Sequence, residues 1–126
     1  MGIWGIILLV VLVMSATMIG FGLYFSLAGP KKINFVFGYR SPMSMKNLET
    51  WRFGNVYAGR YMWITGIILL IGSLATLFAV MSSDDTVIRT AGIIIIIVHA
   101  VMIFGTIIST EIALRRVFDR HGNRKV

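Results

Sequence analysis

The sequence predicts an all-α integral membrane protein with three transmembrane helices and a short amphipathic interfacial helix before the second span. Of its 126 residues, 57% are hydrophobic and only 13% are charged, and the mean hydropathy is +0.85. The apolar residues form three long runs, each close to the roughly 20 residues that a helix needs to cross the hydrocarbon core. The runs lack the period-two alternation of membrane β-strands, so helices are the expected spanning structure.

The first run, residues 3–27, is predicted to be a retained span rather than a cleaved signal peptide. It is too long for the apolar part of a signal peptide and no basic segment precedes it. The small-residue pair Ser26 and Ala28 is a weak cleavage site. Gly29 and Pro30 then end the helix, because proline cannot continue it.

The long segment of residues 28–60 is predicted to contain the interfacial helix, and the second span follows it over residues 61–81. Asn47 can cap this helix, and Glu49 in its first turn is favourable at the positive end of the helix dipole. Aromatic residues gather where the chain re-enters the membrane, as in an aromatic belt: Trp51, Tyr57, Tyr61 and Trp63.

A turn over residues 82–87, expected outside the cell, precedes the third span, residues 88–114, and a basic tail, residues 115–126, follows it. Asp84 and Asp85 lie in the turn. Two adjacent acids without a third ligand are typical of solvation and helix capping rather than of a metal site. The sequence has no cysteine. This excludes thiolate metal ligands, and no His/Glu pair on one helix suits a metal, so we expect no metal and no cofactor.

The distribution of charge predicts the orientation. Residues 28–60 carry a net charge of +5 and the segment from Glu111 onward +3, whereas the turn up to Arg89 carries −1. Because Lys and Arg in short loops resist translocation, both basic segments are expected in the cytoplasm and the N-terminus outside. This topology explains the basic charge better than nucleic-acid binding does, and it predicts attraction to anionic lipid headgroups.

Two ionisable residues of the third span are candidates for an intramembrane role, since such residues are costly in lipid. Glu111 can pair with Arg115, four residues later on the same helix face. His99 could be a proton relay or a neutral histidine bonded to a hydroxyl of another helix, from Ser15, Ser73 or Thr76.

Small residues recur at a spacing of four in every predicted span. Such rows allow close helix packing, either within one bundle or in a homo-oligomer. The rows are Ala16 and Gly20, Gly72 and Thr76, Ala75 and Ala79, and Gly105 and Ser109. No enzyme motif is recognisable, with neither a phosphate-binding glycine loop nor a plausible catalytic triad, so we expect a protein that is not an enzyme.

The block from Gly38 to Asn55 reads GYRSPMSMKNLETWRFGN and is followed by Ala58-Gly59-Arg60. This block, called the signature block below, resembles the signature of the SdpI family of bacterial membrane proteins. The resemblance implies a three-helix module in a bacterial cytoplasmic membrane. The candidate ligand- or partner-binding residues are Gly38, Tyr39, Arg40, Ser44, Lys46, Asn47, Glu49, Trp51, Asn55 and Arg60.

The residues of the block allow two interpretations. Arg40 and Lys46, together with the backbone of Gly38 and the helix start at Asn47, could bind a phosphate headgroup or the carboxylates of a partner. Alternatively, the aromatic and arginine side chains could fix the segment onto the bundle.

Known family members include an immunity protein that protects a producing cell from its own secreted peptide toxin and recruits a cytoplasmic regulator. That member is longer than this chain. The resemblance therefore implies protection against a membrane-active peptide toxin, possible recruitment of a cytoplasmic regulator, and possible signalling. A small transporter or channel subunit and a membrane scaffold for a cytoplasmic partner are the alternatives.

Overall fold

A computed structural model describes residues 2–125 and contains three long helices. They are α1 (Ile3–Leu27), α2 (Leu48–Ala79) and α3 (Asp85–Val117). Each is long and apolar enough to cross a membrane. Within the described residues there is no strand, and one isolated bridge pairs Phe118 with Arg124. The chain is thus an all-α, multi-pass membrane protein, as predicted.

The separate interfacial helix before the second span is not found, and that part of the prediction is corrected. Residues 48–60 are helical, but they form the first turns of α2, which continues without interruption to Ala79. No proline lies between these positions to break the helix. Trp51 is 0% exposed, so it packs inside the protein instead of anchoring in a headgroup layer.

Helix α2 is the centre of the bundle, because both other helices pack mainly on it. The closest approach joins α1 and α2 at Gly22 and Gly59. A Cβ atom added at Gly59 would lie 2.5 Å from the backbone nitrogen of Ser26 and 2.6 Å from the carbonyl oxygen of Gly22. Only glycine allows the two backbones to come this close.

The bundle has an apolar core at each end. One core, beside the turn of residues 80–84, contains Ile7, Val11, Leu77, Ile88 and Ile95. We call this the turn end. The other core contains Met43, Leu114 and Phe118. It lies at the opposite end, called the basic end, where the first connection (residues 28–47), the start of α2 and the tail meet.

Candidate functional site

The signature block begins with a turn that only glycine can form. Gly38 has a φ angle of 107°, and a Cβ atom there would lie 2.7 Å from Asn55 Oδ1 and 2.9 Å from Pro30. The indole Nε1 of Trp51 donates to the carbonyl oxygen of Pro30 at 2.8 Å. The end of α1 is thereby tied to the first turns of α2.

Asn55 joins the turn to the helix. Its Oδ1 accepts a hydrogen bond from the backbone nitrogen of Tyr39 at 2.8 Å, and its Nδ2 donates to the carbonyl oxygen of Trp51 at 2.9 Å. The side chain is only 2% exposed. Both the acceptor and the donor of this buried amide are hydrogen-bonded. It therefore has a strong structural role, because losing it leaves buried backbone groups without partners.

Tyr39 connects the block to α3. Its hydroxyl donates to Glu111 Oε1 at 2.6 Å. Burial, and then the hydrogen bond to the Glu111 carboxylate, raise the pKa of Tyr39 above its ordinary value. Glu111 therefore pairs with Tyr39, and the predicted ion pair with Arg115 is not formed: among residues 2–125 the ion pair observed joins Arg124 to Glu49.

The start of α2 is fixed by a network of short-range hydrogen bonds. Asn47 and Thr50 form a reciprocal capping box, in which Asn47 Oδ1 accepts from the Thr50 backbone nitrogen at 2.9 Å. The Thr50 hydroxyl also donates to the carbonyl oxygen of Ser44 at 3.0 Å. Ser44 is buried, and its Oγ accepts from the backbone nitrogen of Ser41 at 2.8 Å. The predicted cap at Asn47 is the observed one.

The C-terminal tail folds back onto this network, which the sequence did not predict. Asn47 Nδ2 donates to the carbonyl oxygen of Gly122 at 2.8 Å, and Arg124 pairs with Glu49. Phe118 is buried beneath the guanidinium of Arg124, which lies 5.2 Å from its ring centre. The one hint in the sequence was Gly122, because glycine is typical of turns. In the structure it has a φ angle of 86°.

The ten predicted binding residues thus divide into three groups. The polar groups of six of them are used inside the protein or shape its turns: Gly38, Tyr39, Ser44, Asn47, Trp51 and Asn55. Glu49 is exposed but paired with Arg124. The cations Arg40, Lys46 and Arg60 are exposed. Arg40 donates to the carbonyl oxygen of Phe35, and Lys46 and Arg60 line two different grooves.

His99 lies in the middle of the bundle, away from the basic end. It is 0% exposed, and its Nδ1 is 2.9 Å from the carbonyl oxygen of Ile95. Since a carbonyl can only accept, Nδ1 carries a proton. Its Nε2 lies 3.1 Å from Ser15 Oγ on α1. Of the three hydroxyls considered from the sequence, Ser15 is therefore the partner; with the proton on Nδ1, Nε2 accepts a hydrogen bond from the Ser15 hydroxyl.

An apolar groove of about 650 Å³ runs between α2 and α3 near the turn end. Gly72, Ser73, Ala91 and Ile95 are among the residues that line it. Near the other end of α3, the buried hydroxyl of Thr110 has no hydrogen-bond partner within residues 2–125. Neither feature was anticipated from the sequence. Across the same residues, no group of three His, Cys, Asp or Glu side chains is arranged to hold a metal ion.

Comparison with known proteins gives one match. The family model described as the SdpI/YfhL protein family matches residues 31–110, which include the entire signature block, α2 and most of α3. Searches of curated proteins and of solved structures returned no match.

Proposed function

The chain belongs to the SdpI/YfhL protein family, and from this membership we propose that it is a non-enzymatic protein that protects a cell from a secreted, membrane-active peptide toxin. The observation that carries the proposal is the family match over residues 31–110. The matched segment includes every residue that ties the signature block to α2, and Glu111, which ties it to α3, follows directly.

Two apolar surfaces support an encounter with such a peptide in or on the membrane. The first connection presents a tip at which Phe35 and Val36 are 84% and 85% exposed. Asn34 holds this tip, because its Oδ1 accepts from the backbone nitrogens of Val36 and Phe37. The second surface is the apolar groove between α2 and α3. Exposed aromatic and apolar side chains partition into the membrane interface. In the orientation given below, the groove near the turn end would meet a peptide that enters from outside, and the tip would meet a peptide that has reached the cytoplasmic leaflet.

The proposal places the basic end in the cytoplasm and the N-terminus outside, in a bacterial cytoplasmic membrane. Eleven of the twelve Lys and Arg residues belong to the basic end, and Arg89 alone follows the turn. The exposed cations Arg52 and Arg60 line one groove and Arg116 lines a second groove, and both grooves include Phe53 and Tyr57. In this orientation these cations could recruit an acidic cytoplasmic regulator. Such recruitment is the second part of the proposed function.

The test is survival and membrane potential of toxin-sensitive cells that express the chain during exposure to a candidate secreted peptide. We expect the wild-type chain to preserve the potential and Phe35→Ser to weaken protection. Leu27→Ser is the matched control, since Leu27 is 82% exposed at the same end but lies outside the tip. If the wild-type chain fails against every peptide encoded near it, the immunity function is wrong. Equal loss with both variants contradicts a role for the tip.

One observation favours a second candidate, a small transporter or channel subunit. His99 and Ser15 form a buried polar pair between α3 and α1, and such pairs occur along proton pathways. If the chain moves protons, His99→Leu should abolish pH-dependent flux into liposomes, whereas Thr17→Ala, an exposed hydroxyl bonded only to its own helix, should leave it unchanged. Unchanged flux in His99→Leu would remove this candidate.

A further inference from the structure

A groove of about 470 Å³ at the basic end brings together four cations from three parts of the chain. Lys46 comes from the signature block, Arg115 from the last turns of α3, and Arg120 and Lys125 from the tail. They converge only because the tail folds back onto the start of α2. We propose that this groove binds the phosphate headgroup of an anionic lipid.

Two acids also line the groove, but other donors occupy them. Glu111 accepts the hydroxyl of Tyr39 at 2.6 Å. Asp119 Oδ1 accepts from the backbone nitrogens of His121 at 2.9 Å and Asn123 at 3.0 Å. Four cations against two acids leave the groove with a net charge of +2. Within residues 2–125 none of the four cations forms an ion pair, so their charge is available to a ligand.

The charge favours a phosphate group, because guanidinium and ammonium donors form their strongest hydrogen bonds with anionic oxygens. The Nε of Arg120 faces His121 Nε2 at 3.4 Å, which leaves its terminal nitrogens for the ligand. The buried side chains Met43 and Phe118 form an apolar floor. An anion held over such a floor is screened less than one on an open surface.

The position of the groove favours a lipid over free phosphate. Arg115 directly follows the apolar part of α3, so its side chain is at the depth of a headgroup. Phe104 and Ile108 precede it by eleven and seven residues, which places all three on one helix face. Both are exposed, at 66% and 63%. An acyl chain can therefore lie along this face while its phosphate enters the groove.

The test uses the purified full chain in detergent, titrated with phosphatidylglycerol and with phosphatidylcholine of the same acyl composition and followed by native mass spectrometry. The double variant Arg115→Gln/Arg120→Gln removes two groove cations. Lys31→Gln/Lys32→Gln is the control, because it removes the same charge from the same end outside the groove. We expect the groove variant to weaken phosphatidylglycerol binding about 25-fold, at about fivefold for each cation, and the control to change it little.

A second pair, Lys46→Gln/Lys125→Gln, leaves α3 intact and should give a similar loss. If both groove variants retain phosphatidylglycerol binding, or if the control variant loses as much, the groove is not the binding site. The lipid would then be attracted by the charge of the basic end as a whole. Phosphatidylcholine binding as tightly as phosphatidylglycerol would exclude recognition of the anionic headgroup. Inorganic phosphate binding to the groove as tightly as phosphatidylglycerol would show that the ligand is free phosphate and not the lipid. The proposal is independent of the toxin, so failure of the protection assay leaves it untouched.

Discussion

At the residue scale, the amide of Asn55 decides whether the signature block holds its shape. It satisfies the backbone nitrogen of Tyr39 and the carbonyl oxygen of Trp51 in a site with almost no access to water. Replacing it with an apolar residue leaves these backbone groups buried, and only the helical carbonyl retains another partner. A buried donor without an acceptor costs about 1–3 kcal/mol.

We therefore predict that Asn55→Ala lowers the free energy of unfolding by about 1–3 kcal/mol. The measurement is thermal or denaturant unfolding of the purified chain in micelles. Asn123→Ala is the matched control, since the Asn123 side chain is exposed and only its backbone takes part in the tail turn. Similar stability of the two variants would show that Asn55 is not a structural link.

These residue-scale roles were only partly accessible from the sequence. The local motif at Asn47 was predictable, because a cap and its partner are three residues apart. The partner of Glu111 was not, because Arg115 is four residues away whereas Tyr39 is 72 residues away. Sequence spacing ranks local partners well, but it carries no information on which long-range partner the fold supplies.

At the element scale, α1 and α2 are held together by glycine contact rather than by the predicted rows of small residues. Gly20 and Gly72 belong to those rows, yet a Cβ atom on either would meet nothing within 4 Å. Gly22, Gly59 and Gly66 make the close contacts instead. A spacing of four shows that small residues share one face of a helix. Which face packs against the neighbouring helix depends on how the helix is rotated about its axis, and all the surrounding side chains set that rotation.

Gly59→Ala should separate the two helices, since the added Cβ would lie 2.5 Å from a backbone atom that cannot move alone. We expect a loss of about 1–3 kcal/mol in stability, as for other overpacked sites. Gly72→Ala is the control: with open space around it, the change should be neutral or stabilise α2 by up to about 1 kcal/mol. Equal stability of the two variants in micelles would contradict the observed packing.

The C-terminal tail forms a hairpin in which Phe118 pairs with Arg124, and this hairpin should depend on pH through Asp119. Its hydrogen bonds from the backbone of Asn123 and His121 lower the pKa of this carboxyl. A group whose pKa is lowered by folding stabilises the folded form above its ordinary pKa of about 3.9. That contribution is lost as the pH falls through the lowered pKa. The hairpin should therefore loosen below about pH 4.

The amide nitrogen shifts of His121 and Asn123 in nuclear magnetic resonance spectra would report this loosening. Asp119→Asn keeps an acceptor oxygen but cannot titrate, so its spectra should show no such transition. A transition of the same midpoint in Asp119→Asn would assign the pH dependence to another group.

At the scale of the whole molecule, the charges separate cleanly between the two ends. The basic end carries eleven cations and three acids, and the turn end carries Asp84, Asp85 and Arg89. The signature block and the tail meet at the basic end, so both lie on the same side of the membrane. The three membrane-spanning helices were predictable from apolar length alone. The continuity of residues 48–60 with α2 was not predicted, and the docking of the tail depends on tertiary contacts.

The absence of cysteine makes the orientation directly measurable, since one introduced cysteine is the only thiol. Ser83→Cys places it in the turn between α2 and α3, and Asn123→Cys places it in the tail; both positions are exposed. Positive charge resists translocation, so a membrane-impermeant maleimide should label Ser83→Cys in intact cells and Asn123→Cys only after permeabilisation. The reverse pattern would place the basic end outside. The lipid site would then face the outer leaflet, and a cytoplasmic regulator could not reach Arg52, Arg60 and Arg116.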